Sequence, residues 1–160
     1  MIALWLVACT SGGLDITSPI DGVDDPSDDT DAPTATAELV GSWRSAGEDI
    51  APLLVDVVRV DATFEADGSY EVLTVLGDDS TWTLVGTWSS DLSTDPAVIA
   101  LNQTSPWADA VEGIWGVDGD VLTWDVVSVA LGSPATPGGG FGSSSAGEDN
   151  VQIYRRRSAP

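Results

Sequence analysis

Between residues 55 and 65 the chain alternates. Val58, Val60, Ala62 and Phe64 are apolar, and Arg59, Asp61, Thr63 and Glu65 are polar. Successive side chains of an extended strand point to opposite faces, so this run fits a strand with one buried face and one wet face. It stops at Asp67-Gly68, and an Asp-Gly pair supplies the positive φ of a tight hairpin turn. The same grammar recurs along the chain, and no window carries a helical period. Strands are expected near 39–44, 55–65, 69–76, 81–88, 97–102, 113–117, 121–130 and 151–155. Residues 131–149 form a long Gly/Ser/Pro loop containing Gly138-Gly139-Gly140. Trp82, Leu84 and Trp88 share one face of the fourth run, and Leu122, Trp124 and Val126 share one face of the seventh. The fold class is therefore all-β. About eight short antiparallel strands joined mostly by tight turns make an up-and-down meander. Closing it on itself removes the exposed edges and gives a small barrel, filled by side chains or holding one small ligand.

Nothing covalent is available to brace such a barrel. The chain has one cysteine in 160 residues, so no internal disulfide or cysteine-rich zinc site can form. With 42% hydrophobic residues it can build a core. Its charge is −21, from 26 acids against five arginines and no lysine. Nucleic-acid binding needs basic patches that displace counterions from phosphate, and this composition argues against it. It equally argues against electrostatic docking on anionic lipid. Codon bias in a GC-rich genome and adaptation to salt both account for arginine without lysine, and the first fits better because much of the acid sits in one segment.

That segment is 10–38. It holds Asp15, Asp21, Asp24, Asp25, Asp28, Asp29, Asp31 and Glu38, three prolines, no base and no aromatic. Such a composition cannot bury enough apolar area to offset chain entropy, so a disordered tether is expected. The acidic run at 24–29 lacks the ligand spacing and closing Glu of a calcium-binding EF-hand loop.

Ahead of the tether, Leu6-Val7-Ala8-Cys9 follows an apolar start and resembles a bacterial lipobox. The resemblance implies cleavage before Cys9, acyl chains on its sulfur, and a membrane partner reached only through those chains. Thr10 after the cysteine, rather than Asp, implies outer-membrane delivery in a diderm cell. No Lys or Arg precedes Arg44, so the basic part of a secretory signal is expected upstream, before a start assigned too late. The expected organisation is a signal-peptide remnant at 1–8, a lipidated cysteine and acidic linker at 9–38, and a barrel domain at 39–157.

Within 39–157 a Gly-x-Trp unit recurs. Leu39-Val40-Gly41-Ser42-Trp43 is echoed by Leu84-Val85-Gly86-Thr87-Trp88 and more weakly by Gly113-Ile114-Trp115. Glycine beside a core tryptophan marks a place where a ring or backbone approaches closely. The ordered set resembles the lipocalin-like domains of bacterial lipoproteins. It comprises Gly41 and Trp43, then Phe64-x-x-Asp67-Gly68-x-Tyr70, then Gly86 and Trp88. Asp118-Gly119-Asp120-x-Leu122-Thr123 and a closing Tyr154-Arg155 complete it. The resemblance implies that Arg155 stacks on Trp43. Residues 45–54 and the loop 131–149 depart from the compact family pattern.

Two functions follow from different classes. One is a binding module for a small apolar or amphipathic ligand, with Trp82, Trp88, Trp107 and Trp124 as candidate ligand-binding residues. Trp107, beside Pro106, is the candidate for a barrel mouth. The other is a non-catalytic structural or protein-interaction lipoprotein with a solid core, contacting other envelope proteins. Catalysis is not expected. The chain has no histidine, most domain acids fall in turns or on polar strand faces, and only Asp125 stands out among them. No cofactor and no metal are implied.

Overall fold

The computed structural model describes residues 38–158. Cys9, the lipobox and most of the acidic linker lie outside the described residues. The strands are β1 Gly41–Ala46, β2 Val57–Phe64, β3 Ser69–Leu76, β4 Thr81–Asp91, β5 Ala97–Ser105, β6 Asp109–Asp118, β7 Val121–Ser128 and β8 Gln152–Arg156. Each pairs antiparallel with the next, and β1 pairs with β8, so the meander closes into a barrel. β4, β5 and β6 run longer than the sequence pattern indicates. Most of their extra residues are polar (Ser89, Ser90 and Asp91, then Gln103, Thr104 and Ser105, then Asp109, Glu112 and Asp118), which breaks the apolar alternation although the backbone ladder continues.

Asp-x-Ser steps help make three of the hairpin connections. The Asp67, Asp78 and Asp91 carboxylates accept the backbone N–H groups of Ser69, Ser80 and Ser93. The Ser69 and Ser80 hydroxyls also donate to Asp67 and Asp78, and these hydroxyl and backbone bonds, led by the backbone bond at Asp91, hold all three carboxyls below the usual carboxylate range.

A meander sends alternate connections to opposite ends of the barrel. The end carrying the start of β1 and the finish of β8 is solid. Trp43 is fully buried there, and its indole N–H donates to the Leu39 carbonyl at 2.8 Å. The Arg156 guanidinium lies 4.1 Å from the Trp43 ring centroid. It also donates to the carbonyls of Val40 and Glu38 at 3.2 and 2.7 Å. Gly41 adopts φ +130°, and a Cβ there would stand 3.2 Å from the same guanidinium.

The stacking arginine is thus Arg156, not Arg155. Tyr154 takes an inward position on β8, and the strand period of two makes the next inward residue 156. The register sets Trp43 opposite Arg156. Arg155 points outward and forms an ion pair with Asp49 at 2.9 Å. Arg44, Arg59 and Arg157 gather around Asp61 on the outside.

The other two Gly-x-Trp glycines serve a different need. A Cβ on Gly86 would run into the backbone of Asn102, and one on Gly113 into the backbone of Asp125. These are the close strand approaches that glycine alone permits. The indole N–H of Trp88 donates to the Ser69 carbonyl, and that of Trp115 to Ser90 Oγ, so both rings are buried without an orphaned donor.

Replacing Arg156 by Ala should lower stability by about 2 kcal/mol, through loss of the cation–π contact and two charge-assisted hydrogen bonds. Arg155→Ala should leave the thermal midpoint nearly unchanged. Paired thermal melts check this, and equal effects of the two substitutions would contradict it.

Candidate functional site

The opposite end of the barrel is hollow. A cavity of about 230 Å³ runs inward from the β1–β2 connection, where Ala51 and Leu54 line it. Its walls are inward residues of successive strands: Val60, Ala62 and Phe64 from β2, Tyr70, Val72 and Thr74 from β3, Leu84 from β4, Leu101 and Gln103 from β5 and Val111 from β6. Trp124 and Val126 from β7 and Gln152 and Tyr154 from β8 complete the wall, with Asn150 just before β8. None of these side chains is charged.

Phe64 is the aromatic hub at the cavity's inner part. Its ring centroid lies 5.5 Å from Trp124, 5.7 Å from Trp88 in an edge-on contact, and 6.3 Å from Tyr70 in a stacked one. Such pairs contribute roughly 0.5–1.5 kcal/mol each beyond their burial.

The four candidate tryptophans take three different places. Trp124 lines the cavity. Trp88 is buried behind Phe64 and is not part of the wall. Trp82, second in β4, and Trp107, in the β5–β6 turn, sit at the open end and are 45% and 54% exposed. Leu53, Leu54, Val55, Val58, Val129 and Leu131 are also exposed at this end, giving the mouth an apolar rim. The Trp107 carbonyl accepts from Gln103 Nε2 at 3.0 Å, which ties the rim to the wall.

Gln103 and Gln152 are wall residues that the hydrophobic pattern passes over. A signal for them exists: each is a polar residue at an inward position of its strand. Phe64 and Tyr154 belong to the wall on the same alternation.

Asp125 is fully buried on the outward face of β7, opposite Ile114 of β6, which is also fully buried. The segment between β7 and β8 covers them. Asp125 accepts from the Gly142 N–H and from Asn150 Nδ2, both at 2.8 Å. Asn150 Nδ2 also donates to the Val126 carbonyl. Phe141 packs over Gly116, where a Cβ would stand 3.6 Å from its ring. Ser133 and Thr136 bond Ser145 and Ser143 within the segment. The Gly/Ser/Pro stretch is therefore a strap held against the wall, and Asp125 is its anchor. The carboxylate faces the strap, on the side of the sheet away from the cavity. Among the described residues no three His, Cys, Asp or Glu side chains form a group able to hold a metal ion.

No family model, curated protein or solved structure matches this chain. The functional reading therefore rests on the site's own geometry.

Both tyrosines of the chain line this cavity. Burial pushes the Tyr70 phenol up to about 12, with the nearby Asp109 charge adding to it. Burial alone pushes Tyr154 well above the usual phenol range. The unfolded chain ionises its phenols near ~10. Folding stability is thus unaffected by these groups below about pH 10 and falls as pH rises toward the folded values, because only the unfolded state gives up its protons readily. Folded protein at about pH 11 should show little tyrosinate absorbance, and most of the band should appear together with loss of near-UV circular dichroism. A tyrosinate band developing near ~10 in protein that is still folded would contradict the burial of both rings.

Proposed function

We propose that this chain is a lipid-anchored cell-envelope protein whose lipocalin-like barrel binds one small apolar or amphipathic ligand. The observation that carries the binding reading is the uncharged cavity of about 230 Å³, open among exposed apolar residues at one end of the barrel. Concave, mostly apolar sites with a few polar groups are the usual form of small-molecule pockets. A solid barrel displayed for contact with other envelope proteins is the competing reading. The cavity weighs against it, because close-packed interiors hold few voids larger than a water molecule. An apolar rim around the mouth also suits entry of an apolar ligand.

The anchor rests on Leu6-Val7-Ala8-Cys9, and outer-membrane delivery rests on Thr10. A tether followed by a ligand-holding barrel makes a coherent envelope protein. Catalysis forms no part of the proposal. The chain has no histidine, and its fully buried carboxylate, Asp125, is engaged by the strap.

Full-length protein recovered from the host membrane provides the test. Its intact mass should correspond to a chain beginning at Cys9 and carrying acyl groups. Titration with the neutral dye N-phenylnaphthylamine should give saturable dye emission with energy transfer from tryptophan, weakened in Trp124→Phe. An unmodified Cys9 in soluble protein would remove the anchor, and a linear, non-saturating dye response would remove the binding site.

A further inference from the structure

The cavity's polar groups restrict what it can hold, on the reading that it is a ligand site. Seven wall residues carry side-chain N–H or O–H groups, Tyr70 and Thr74 on β3, Gln103 on β5, Trp124 on β7, and Asn150, Gln152 and Tyr154 on or just before β8, and their commitments differ. Gln103 Nε2 is used by the Trp107 carbonyl. Asn150 Nδ2 is used twice, by Asp125 and by the Val126 carbonyl. Tyr154 is buried and uncharged. Gln152 is only 6% exposed, and its Nε2 has no hydrogen-bond partner among the protein's groups. Among the described residues, no other wall side chain carries a fully buried nitrogen or oxygen without a partner.

A buried donor left unpaired costs roughly 1–3 kcal/mol, which an acceptor bound in the cavity would recover. Gln152 lines the cavity, and the soft terminal torsion of its amide lets the N–H turn toward it. The wall offers no positive charge. Arg44, Arg59, Arg155 and Arg157 pair with acids on the outside of the barrel, and Arg156 is held at the solid end. A carboxylate or sulfonate inside would be desolvated with no counter-charge, which is strongly unfavourable. The size points the same way toward a compact molecule, because about 230 Å³ falls below the roughly 300 Å³ at which drug-sized pockets begin.

We propose that the cavity selects small neutral molecules bearing one hydrogen-bond acceptor, such as a medium-chain ketone, ester or aldehyde, and that Gln152 Nε2 donates to that acceptor. The apolar wall receives the chain, and Gln152 fixes the position of the head. Anions of the same length are excluded.

Three eight-carbon probes test this by displacement of N-phenylnaphthylamine from the full chain at neutral pH: n-octane, methyl hexyl ketone and octanoate. The comparison is between the unaltered protein and Gln152→Leu, which keeps the side chain's bulk and removes its donor. Ketone affinity should fall about tenfold in the variant, the worth of one buried hydrogen bond, while octane affinity stays level. Octanoate should displace no dye at about a hundred times the ketone concentration that suffices, as expected for an uncompensated buried charge. The variant's thermal midpoint without ligand should equal or exceed that of the unaltered protein, because an unpaired donor has been removed. Equal responses of ketone and octane to the substitution, octanoate binding as tightly as the ketone, or a lowered midpoint would each overturn the inference while leaving the barrel a binding module. Failure of the dye and all three probes to bind would overturn the binding reading itself, and this inference with it.

Discussion

The contact between Arg156 and Trp43 is what the rest of the barrel depends on. It joins the first strand to the last, the one pairing that no hairpin can enforce. β1 and β8 are separated by more than a hundred residues of chain, and the described β1–β8 ladder aligns Trp43 with Arg156. The guanidinium covers the ring and also takes up carbonyls of the chain entering β1. One side chain thus caps the core, closes the sheet and fixes where the preceding segment arrives. A Cβ on Gly41 would crowd this arrangement, which ties the first Gly-x-Trp unit to closure rather than to a ligand.

With one end fixed in this way, the barrel divides into a filled half and an open half. Trp43, Trp88, Trp115, Ile99 and Leu122 are buried in a continuous core with Phe64 and Trp124. Phe64 and Trp124 also face the cavity, so they form the boundary between core and hollow. The strap strengthens the wall from outside through Asp125, whose two hydrogen bonds hold residues 17 and 25 positions further along the chain. Polarity is sorted accordingly. The arginines stay on the outer face or at the solid end, the acids of three hairpins are used by their own turns, and the cavity is left uncharged.

The all-β class, the number of strands and their meander order are legible in the sequence, because alternation and Asp-Gly turns are local signals. Residues 60, 62 and 64 carry the inward face of β2 without any tertiary information, whereas a bulge between Val57 and Arg59 leaves Val58 exposed although it belongs to the same alternating run. The stacking partner of Trp43 is legible too, since Tyr154 occupies an inward position and the period of two leads to Arg156, whereas the closing Tyr-Arg pair of the family resemblance points one residue short, to Arg155. The cavity is a different matter. Whether an inward face is filled or hollow depends on how eight strands sum their volumes, which no single strand records. Trp82 and Trp124 look alike in sequence, each at an inward position of an alternating run. One lies two residues into its strand, at the mouth, and the other lies midway along the wall. Gln103 and Gln152 read as interruptions of the hydrophobic pattern, although they supply the wall's polar groups. The Gly/Ser/Pro stretch gives no periodic signal because its order comes from hydrogen bonds to Asp125 and to itself.

The division of the barrel into a solid end and a hollow end is tested most directly by methyl NMR of the full chain under increasing xenon pressure. Xenon enters apolar cavities and shifts the resonances of the methyl groups that line them. The methyls of Ala51, Ala62, Leu84 and Val126 should shift in a saturable way, while those of Leu39, Ile99 and Leu122 stay in place. Shifts spread evenly over both groups, or no saturable shift in the first, would contradict a barrel that is capped by Arg156 over Trp43 and open at its other end.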